Sequence, residues 1–212
     1  MTTIVLLPGM DGTGELFRAF LACAPATLQP LVVPLPHAGS YEELLARIGL
    51  PDDEELVLLG ESFSGPLALR LAEREGGRVS AVILCNSFVR APYPGVLRWL
   101  PWPLAFLWKP HAAFIRWLFL GRDAPDAAVK EVQRAIARTP RRVLAARVRA
   151  ILTLDAVPVP VPVLYLRGTE DRLIHEVPPG VTVREIRGPH LLLQTAPGEA
   201  WRAIEDFLVS GR

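Results

Sequence analysis

The amino-acid sequence predicts a doubly wound α/β domain with a mostly parallel sheet, interrupted by one helical insertion. Three observations carry that reading. Short apolar runs alternate with longer helical stretches, the runs are apolar throughout rather than at every second residue, and one long stretch breaks the alternation. Strands that read as unbroken apolar runs are those covered on both faces, as in a parallel sheet between helix layers. Alternating strand and helix patterns are the mark of βαβ units.

Each element has local grounds. Thr3 to Leu7 is an apolar run that stops at Pro8-Gly9, and Gly14 to Ala24 reads as the helix after it. Leu31 to Val33, ended by Pro34, is a weaker second strand. Tyr41 to Ile48 reads as a helix with Ser40 as N-cap and Glu43 three residues on, the pattern of a capping box. Leu56 to Leu59 is the third strand, and Ser64 to Glu75 the helix after it, ending at Gly76-Gly77. Val79 to Cys85, Val161 to Leu166 and Val181 to Ile186 supply three more strands, and Pro197 to Val209 a closing helix.

From Arg90 to about Leu152 no strand pattern occurs. Pro92, Pro94, Pro101, Pro103 and Pro110 chop the first half, which is rich in Trp, Leu and Phe. Ala127 to Arg138 and Arg141 to Leu152 then read as helices. Pro158, Pro160 and Pro162 make a stiff, extended return to the sheet. The expected organisation is a core of residues 1–89 and 153–212 with a helical cap at 90–152.

Composition narrows the function classes. The chain has 212 residues, of which half are hydrophobic and 21% charged, enough for a sizeable core and unlike a disordered chain. A net charge of +1 gives no reason to propose nucleic acid as a partner. Cys23 and Cys85 lack zinc-site spacing, and Cys85 sits in an apolar run as a free buried thiol would. The N-terminus lacks a basic leader, and no long apolar stretch is free of charge or proline. A cytoplasmic protein without a transmembrane segment is the default expectation.

The strongest chemical signal is Gly60-Glu61-Ser62-Phe63-Ser64-Gly65, set between a buried strand and a helix. A serine on a tight strand-to-helix turn is held strained, with its hydroxyl above the sheet edge, and small neighbours let strand and helix pack closely. The helix N-terminus adds free N–H groups and partial positive charge. Pro66 is tolerated in the first turn. The usual pattern is Gly-x-Ser-x-Gly, and here Ser64 stands in the last place.

The first strand ends in Pro8-Gly9-Met10-Asp11-Gly12-Thr13-Gly14. In α/β hydrolases, which these two segments resemble, a loop in that position supplies one backbone N–H of an oxyanion hole and the residue after the serine the other, so the resemblance implies Met10 and Phe63 as donors. A phosphate loop fits poorly, because Glu15 stands where a Walker lysine would and Phe17 where a dinucleotide fingerprint needs glycine.

Asp171 and His190 lie just past the fifth and sixth strands, where a doubly wound sheet gathers its site. They also give the chain order Ser, acid, His. Of the four histidines only His190 falls between the last strand and the last helix, with His175 as its main rival. Glu170 is the rival acid, the position after the fourth strand offers Asn86-Ser87 and no carboxylate, and Asp155 precedes its strand.

Together, Leu7 to Gly14, Gly60 to Gly65, the Gly-x-x-Asp segment ending at Asp171, and Gly188-Pro189-His190 resemble the α/β-hydrolase superfamily, most of all its small bacterial esterase- and thioesterase-like members. The resemblance covers roughly residues 3–88 and 160–209, and it places 90–152 where that family carries its variable cap. It implies an α/β-hydrolase fold trimmed at the N-terminus and ester or thioester chemistry: Ser62 as nucleophile, His190 as base, Asp171 as the acid that orients it.

The expected function is therefore cleavage of a small-molecule ester or thioester through an acyl-enzyme, without metal or organic cofactor. An acyltransferase sharing that intermediate and a non-catalytic binding protein on the same scaffold are the alternatives. Trp99, Trp102 and Trp108 are candidate contacts for an apolar acyl group, and with Trp117, Arg98, Lys109 and Arg116 they also suit a surface that touches lipid. Arg134, Arg138, Arg141, Arg142, Arg147 and Arg149 form a basic cluster, expected as a solvated helix face ahead of a coenzyme A phosphate site.

Overall fold

β1 (Thr2–Leu7) leads through a 3-10 turn to α1 (Arg18–Ala22), β2 (Leu28–Val32) and α2 (Tyr41–Arg47). β3 (Leu56–Glu61) turns at Ser62–Ser64 into α3 (Gly65–Glu75), and β4 (Val79–Cys85) follows. Next come α4 (Trp102–Ala105), α5 (Ala112–Ile115), α6 (Asp126–Arg138) and α7 (Arg141–Leu152). β5 (Val163–Gly168), β6 (Thr182–Ile186), α8 (Leu192–Thr195) and α9 (Pro197–Ser210) complete the chain. The computed structural model describes residues 2–53, 55–108 and 110–210.

The strands form one sheet in the order β2-β1-β3-β4-β5-β6, and every pairing is parallel. The unbroken apolar runs divide their side chains between two layers, as the period of two requires. Val5, Leu58, Leu84 and Tyr165 pack toward Leu44 of α2 and Leu67 of α3. Ile4, Leu59, Ile83 and Leu166 pack toward Phe20 of α1 and Trp201 of α9. Phe20 and Trp201 stack with centroids 4.1 Å apart, and the Trp201 indole donates to the Phe20 carbonyl at 2.7 Å. Cys85 is a free, buried thiol, and Cys23 is free and exposed.

Several boundaries differ from expectation. The first helix is a 3-10 turn at Glu15–Phe17 followed by five residues of α1. Gly14 takes φ of +76° before it, and a Cβ there would stand 2.4 Å from Val32. β2 starts earlier than expected and includes Pro30, which an edge strand accommodates because one row of its N–H positions has no partner. β6, at the other edge, is mostly exposed rather than covered on both faces. The departures at β2 and β6 follow from their place at the sheet edges, which local hydrophobicity does not encode.

The basic cluster also differs. Arg134, Arg138, Arg141, Arg142 and Arg149 are exposed, but Arg147 of α7 is fully buried. Its guanidinium donates to three carbonyls: Met10 at 2.8 Å, Pro36 at 2.7 Å and Ala38 at 3.1 Å. Burial pulls its pKa down to about 10, still well above neutral, so it remains a cation. α7 reaches this depth because Gly39 leaves room, a Cβ there falling 2.3 Å from that of Ala146. Arg147 therefore belongs neither to a solvated face nor to a phosphate site.

Arg147→Ala would leave three acceptors unpaired, one buried and two part-buried, with about 1–3 kcal/mol for the buried one and less for each of the others. We expect a loss on the order of 2–4 kcal/mol in urea unfolding. Arg147→Lys should recover only part, because one ammonium cannot match the planar fork. A variant as stable as the parent would remove Arg147 as the anchor of α7.

Candidate active site

The turn after β3 is built by close contact. A Cβ on Gly60 would fall 2.6 Å from the Ser64 carbonyl, and one on Gly65 would fall 1.9 Å from the Ser87 hydroxyl. Glycine at both places lets strand and helix meet, and it forces the residues between them through a tight bend. Ser62 takes φ of +50°, left-handed backbone that a side chain disfavours. Three side chains hold it. Ser87 donates to the Ser62 carbonyl at 2.5 Å, Tyr41 donates to the Phe63 carbonyl at 2.9 Å, and Ser64 donates to the Pro8 carbonyl. Ser64 thus ties the turn to the loop after β1, a bond that glycine in this place could not make.

The loops after β5 and β6 bring two more groups to the serine. His190 Nε2 lies 2.9 Å from Ser62 Oγ. His190 Nδ1 lies 3.0 Å from each carboxylate oxygen of Asp171, whose Oδ1 also accepts the Leu173 N–H at 2.8 Å. The His190 and Asp171 side chains are 3% and 1% exposed, so little water competes for this pairing. An imidazole held by a carboxylate at one nitrogen can take a hydroxyl proton at the other. The rivals stand apart. Glu170 is exposed and pairs with Arg187, and Asp155, His37 and His175 are exposed. His111, also exposed, caps α5.

Asn86, which the sequence marks only as the position after β4 without a carboxylate, has a part of its own. It sits past β4 with φ of +43°, and its side chain is buried. Its Oδ1 accepts from the Gly168 N–H at 2.7 Å, and its Nδ2 donates to the carbonyls of Pro189 and His190 at 3.0 and 2.9 Å. It therefore fixes the histidine loop to the strand that carries the acid loop. The signal in the sequence is an amide directly after the apolar run of β4.

Among the described residues, none of the turn and loop hydrogen bonds engages the N–H of Met10, and Phe63 lies in the short 3-10 turn Ser62–Ser64 at the head of α3. The Met10 carbonyl is held by Arg147, and the Phe63 ring stacks on Tyr41 at 4.9 Å with the Arg147 guanidinium 5.6 Å from its centroid. From the segment between β4 and β5, Phe119 comes to the site, its ring centroid 6.0 Å from that of His190. Trp99 and Trp108 instead face solvent, each 77% exposed, and the Trp102 indole donates to the Leu97 carbonyl. Among the described residues no group of three or more His, Cys, Asp or Glu is placed to hold a metal ion. No helix among them is long and apolar enough to cross a membrane.

A family model described as the alpha/beta hydrolase family matches residues 4–204. No curated protein matches the chain. Among solved structures, the chain is similar to an enol-lactonase from Burkholderia xenovorans LB400, with a TM-score of 0.78 and 19% identity over 98% of this chain and 91% of that one. It is similar also to a thermophilic esterase from Thermogutta terrifontis, with a TM-score of 0.74 and 17% identity over 100% and 90%. A carboxylesterase from Bacillus subtilis gives a TM-score of 0.66 and 16% identity over 100% and 85%.

Glu61, beside Ser62, is fully buried and accepts from Gln194 at 3.0 Å. Burial, reinforced by Asp11, pushes its carboxyl from 4.5 up to about 8. The folded chain then keeps a proton that the unfolded chain has lost, so stability falls as pH rises from about 4.5 and levels off above about 8. At ~1.4 kcal/mol per pH unit the loss is on the order of 3–5 kcal/mol. Glu61→Gln should flatten this slope in urea unfolding between pH 5 and 9. An unchanged slope would mean that Glu61 is ionised in the fold.

Proposed function

The chain belongs to the α/β hydrolase family, and on that premise we propose that it is a serine hydrolase that cleaves a carboxylic ester or thioester through an acyl-enzyme on Ser62. The observation that carries the reading is the continuous row from the Asp171 carboxylate through the His190 ring to Ser62 Oγ, with spacings of 3.0 and 2.9 Å.

The geometry supports the following steps. His190 Nε2 takes the Ser62 proton as Oγ attacks the substrate carbonyl carbon. Asp171 accepts from Nδ1–H, fixes the tautomer that leaves Nε2 free, and stabilises the imidazolium. The carbonyl oxygen becomes an oxyanion that the N–H groups of Met10 and Phe63 receive, each worth ~3 kcal/mol in comparable holes. The tetrahedral centre collapses, the carbon–oxygen or carbon–sulfur bond breaks, and His190 hands its proton to the leaving group. Water, deprotonated by His190, then attacks the acyl-enzyme and releases the acid.

The segment at 90–152 acts in this reading as a cap over the site. Phe119 beside His190 supports an apolar wall, and hence a substrate with an apolar acyl group. Water-filled space against a phenyl ring is unfavourable, whereas a methylene chain gains about 0.8 kcal/mol per buried carbon.

The test is hydrolysis of p-nitrophenyl esters from acetyl to palmitoyl by the parent and by Ser62→Ala. We expect the variant to lose about ten-thousand-fold or more in kcat, since the three side chains act as a unit. A fluorophosphonate probe should label the parent at Ser62 and leave the variant unlabelled. Undiminished turnover in Ser62→Ala, or labelling elsewhere, would overturn the assignment.

A further inference from the structure

The exposed apolar side chains of this protein are concentrated in one stretch. Among the described residues, only Leu31, Val159 and Val209 of the exposed large hydrophobics lie outside residues 96–117. Inside it, Val96 is 70% exposed, Trp99 and Trp108 77%, and Leu104 54%. A folded chain has half its residues available for its core, so leaving three tryptophan and phenylalanine rings in water between Trp99 and Phe114 calls for a covering partner.

The charge pattern says what kind. From Gly76 to Arg122 the sequence holds no Asp or Glu, while it holds Arg78, Arg90, Arg98, Lys109, Arg116 and Arg122. Arg90 and Arg116 are neutralised by Glu176 and Asp126. Arg98 and Arg122 are exposed and, among the described residues, pair with no carboxylate. Arg98 lies instead over the Trp99 ring at 5.2 Å, and Arg172, the neighbour of Asp171, over Trp117 at 5.3 Å. Tryptophan with a cation on its face is the pairing suited to the boundary between acyl chains and anionic headgroups.

A second copy of the chain fits less well. A two-fold contact would set this surface against itself, bringing unpaired arginines together with no acidic residue in the stretch to separate them. We propose that residues 96–117 dock the protein on an anionic lipid surface. They lie flat in the interface rather than spanning it, since the prolines and the short helices α4 and α5 allow no spanning segment.

The same stretch leads inward. Trp117 and Phe114 are 6.3 Å apart, Phe114 and Phe119 a further 6.3 Å, and Phe119 and His190 6.0 Å, measured between centroids. An unbroken row of aromatic rings thus joins the exposed surface to the imidazole. On the hydrolase reading above, on which this part rests, the row guides a long-chain ester from the lipid phase to Ser62.

The experiment is cosedimentation with vesicles of phosphatidylcholine alone and of equal parts phosphatidylcholine and phosphatidylglycerol. The parent should bind the mixed vesicles, more weakly as salt rises and weakly without phosphatidylglycerol. Trp99→Ala with Trp108→Ala should cut binding about tenfold or more, and Arg98→Gln about fivefold. Ser62→Ala should bind like the parent, which separates a failure of docking from a failure of the hydrolase reading. No binding by the parent at low salt, or undiminished binding by the tryptophan variant, would overturn the proposal. So would self-association of the parent that the tryptophan variant loses, which assigns the surface to a second copy.

Discussion

The left-handed backbone at Ser62 is the constraint around which the site is arranged. A non-glycine residue in that region costs on the order of 1–3 kcal/mol. The hydrogen bonds from Ser87, Tyr41 and Ser64 contribute ~1 kcal/mol each. The two sums are comparable, so the bend persists because several elements hold it at once. Ser87 belongs to the chain leaving β4, Tyr41 to α2, and the Pro8 carbonyl to the chain leaving β1. The serine is therefore positioned by its neighbours in the sheet and in one helix layer, with β3 supplying only the entry direction.

Arg147 extends that arrangement to the segment between β4 and β5. Its acceptors are neutral carbonyls, so it gains no full ionic partner, and burial depresses its pKa without neutralising it. What it supplies is a planar fork that satisfies carbonyls from two separate loops and approaches the Phe63 ring. A Cβ on Gly12 would meet its Nη1 at 2.5 Å, so the loop after β1 is shaped around the guanidinium. Helix α7 is thereby coupled to the loops after β1 and β2 and to the ring of Phe63, the residue after Ser62.

Much of this was readable in the residues. The apolar runs identified all six strands, because burial on both faces leaves a mark on every residue of a central strand. The Gly60-to-Gly65 turn and the positions of Asp171 and His190 after their strands pointed to the groups that the fold brings together. Edge strands were read less well, since β2 and β6 carry half-exposed residues and a proline that weaken the periodicity. Asn86 and Arg147 escaped for a different reason. Each acts through carbonyl groups far away in the chain, and a carbonyl is present at every residue, so no side-chain pattern announces the partner. Arg147 looked like its exposed neighbours because helix-surface arginines and one buried arginine share a composition.

The reach of Arg147 also bears on how the molecule comes together. Its acceptors precede it by 137, 111 and 109 residues, and Ser62 precedes His190 by 128. Contacts of such separation carry a large loop-closure entropy and form after local ones. During synthesis the sheet strands β1 to β4 emerge well before the cation that orders the loop between β1 and α1, and before the histidine loop. A nascent chain can thus hold a half-built sheet while Ser62 has neither a partner nor a settled loop beside it. The order of residues along the polypeptide delays assembly of the chemistry until the scaffold is nearly complete.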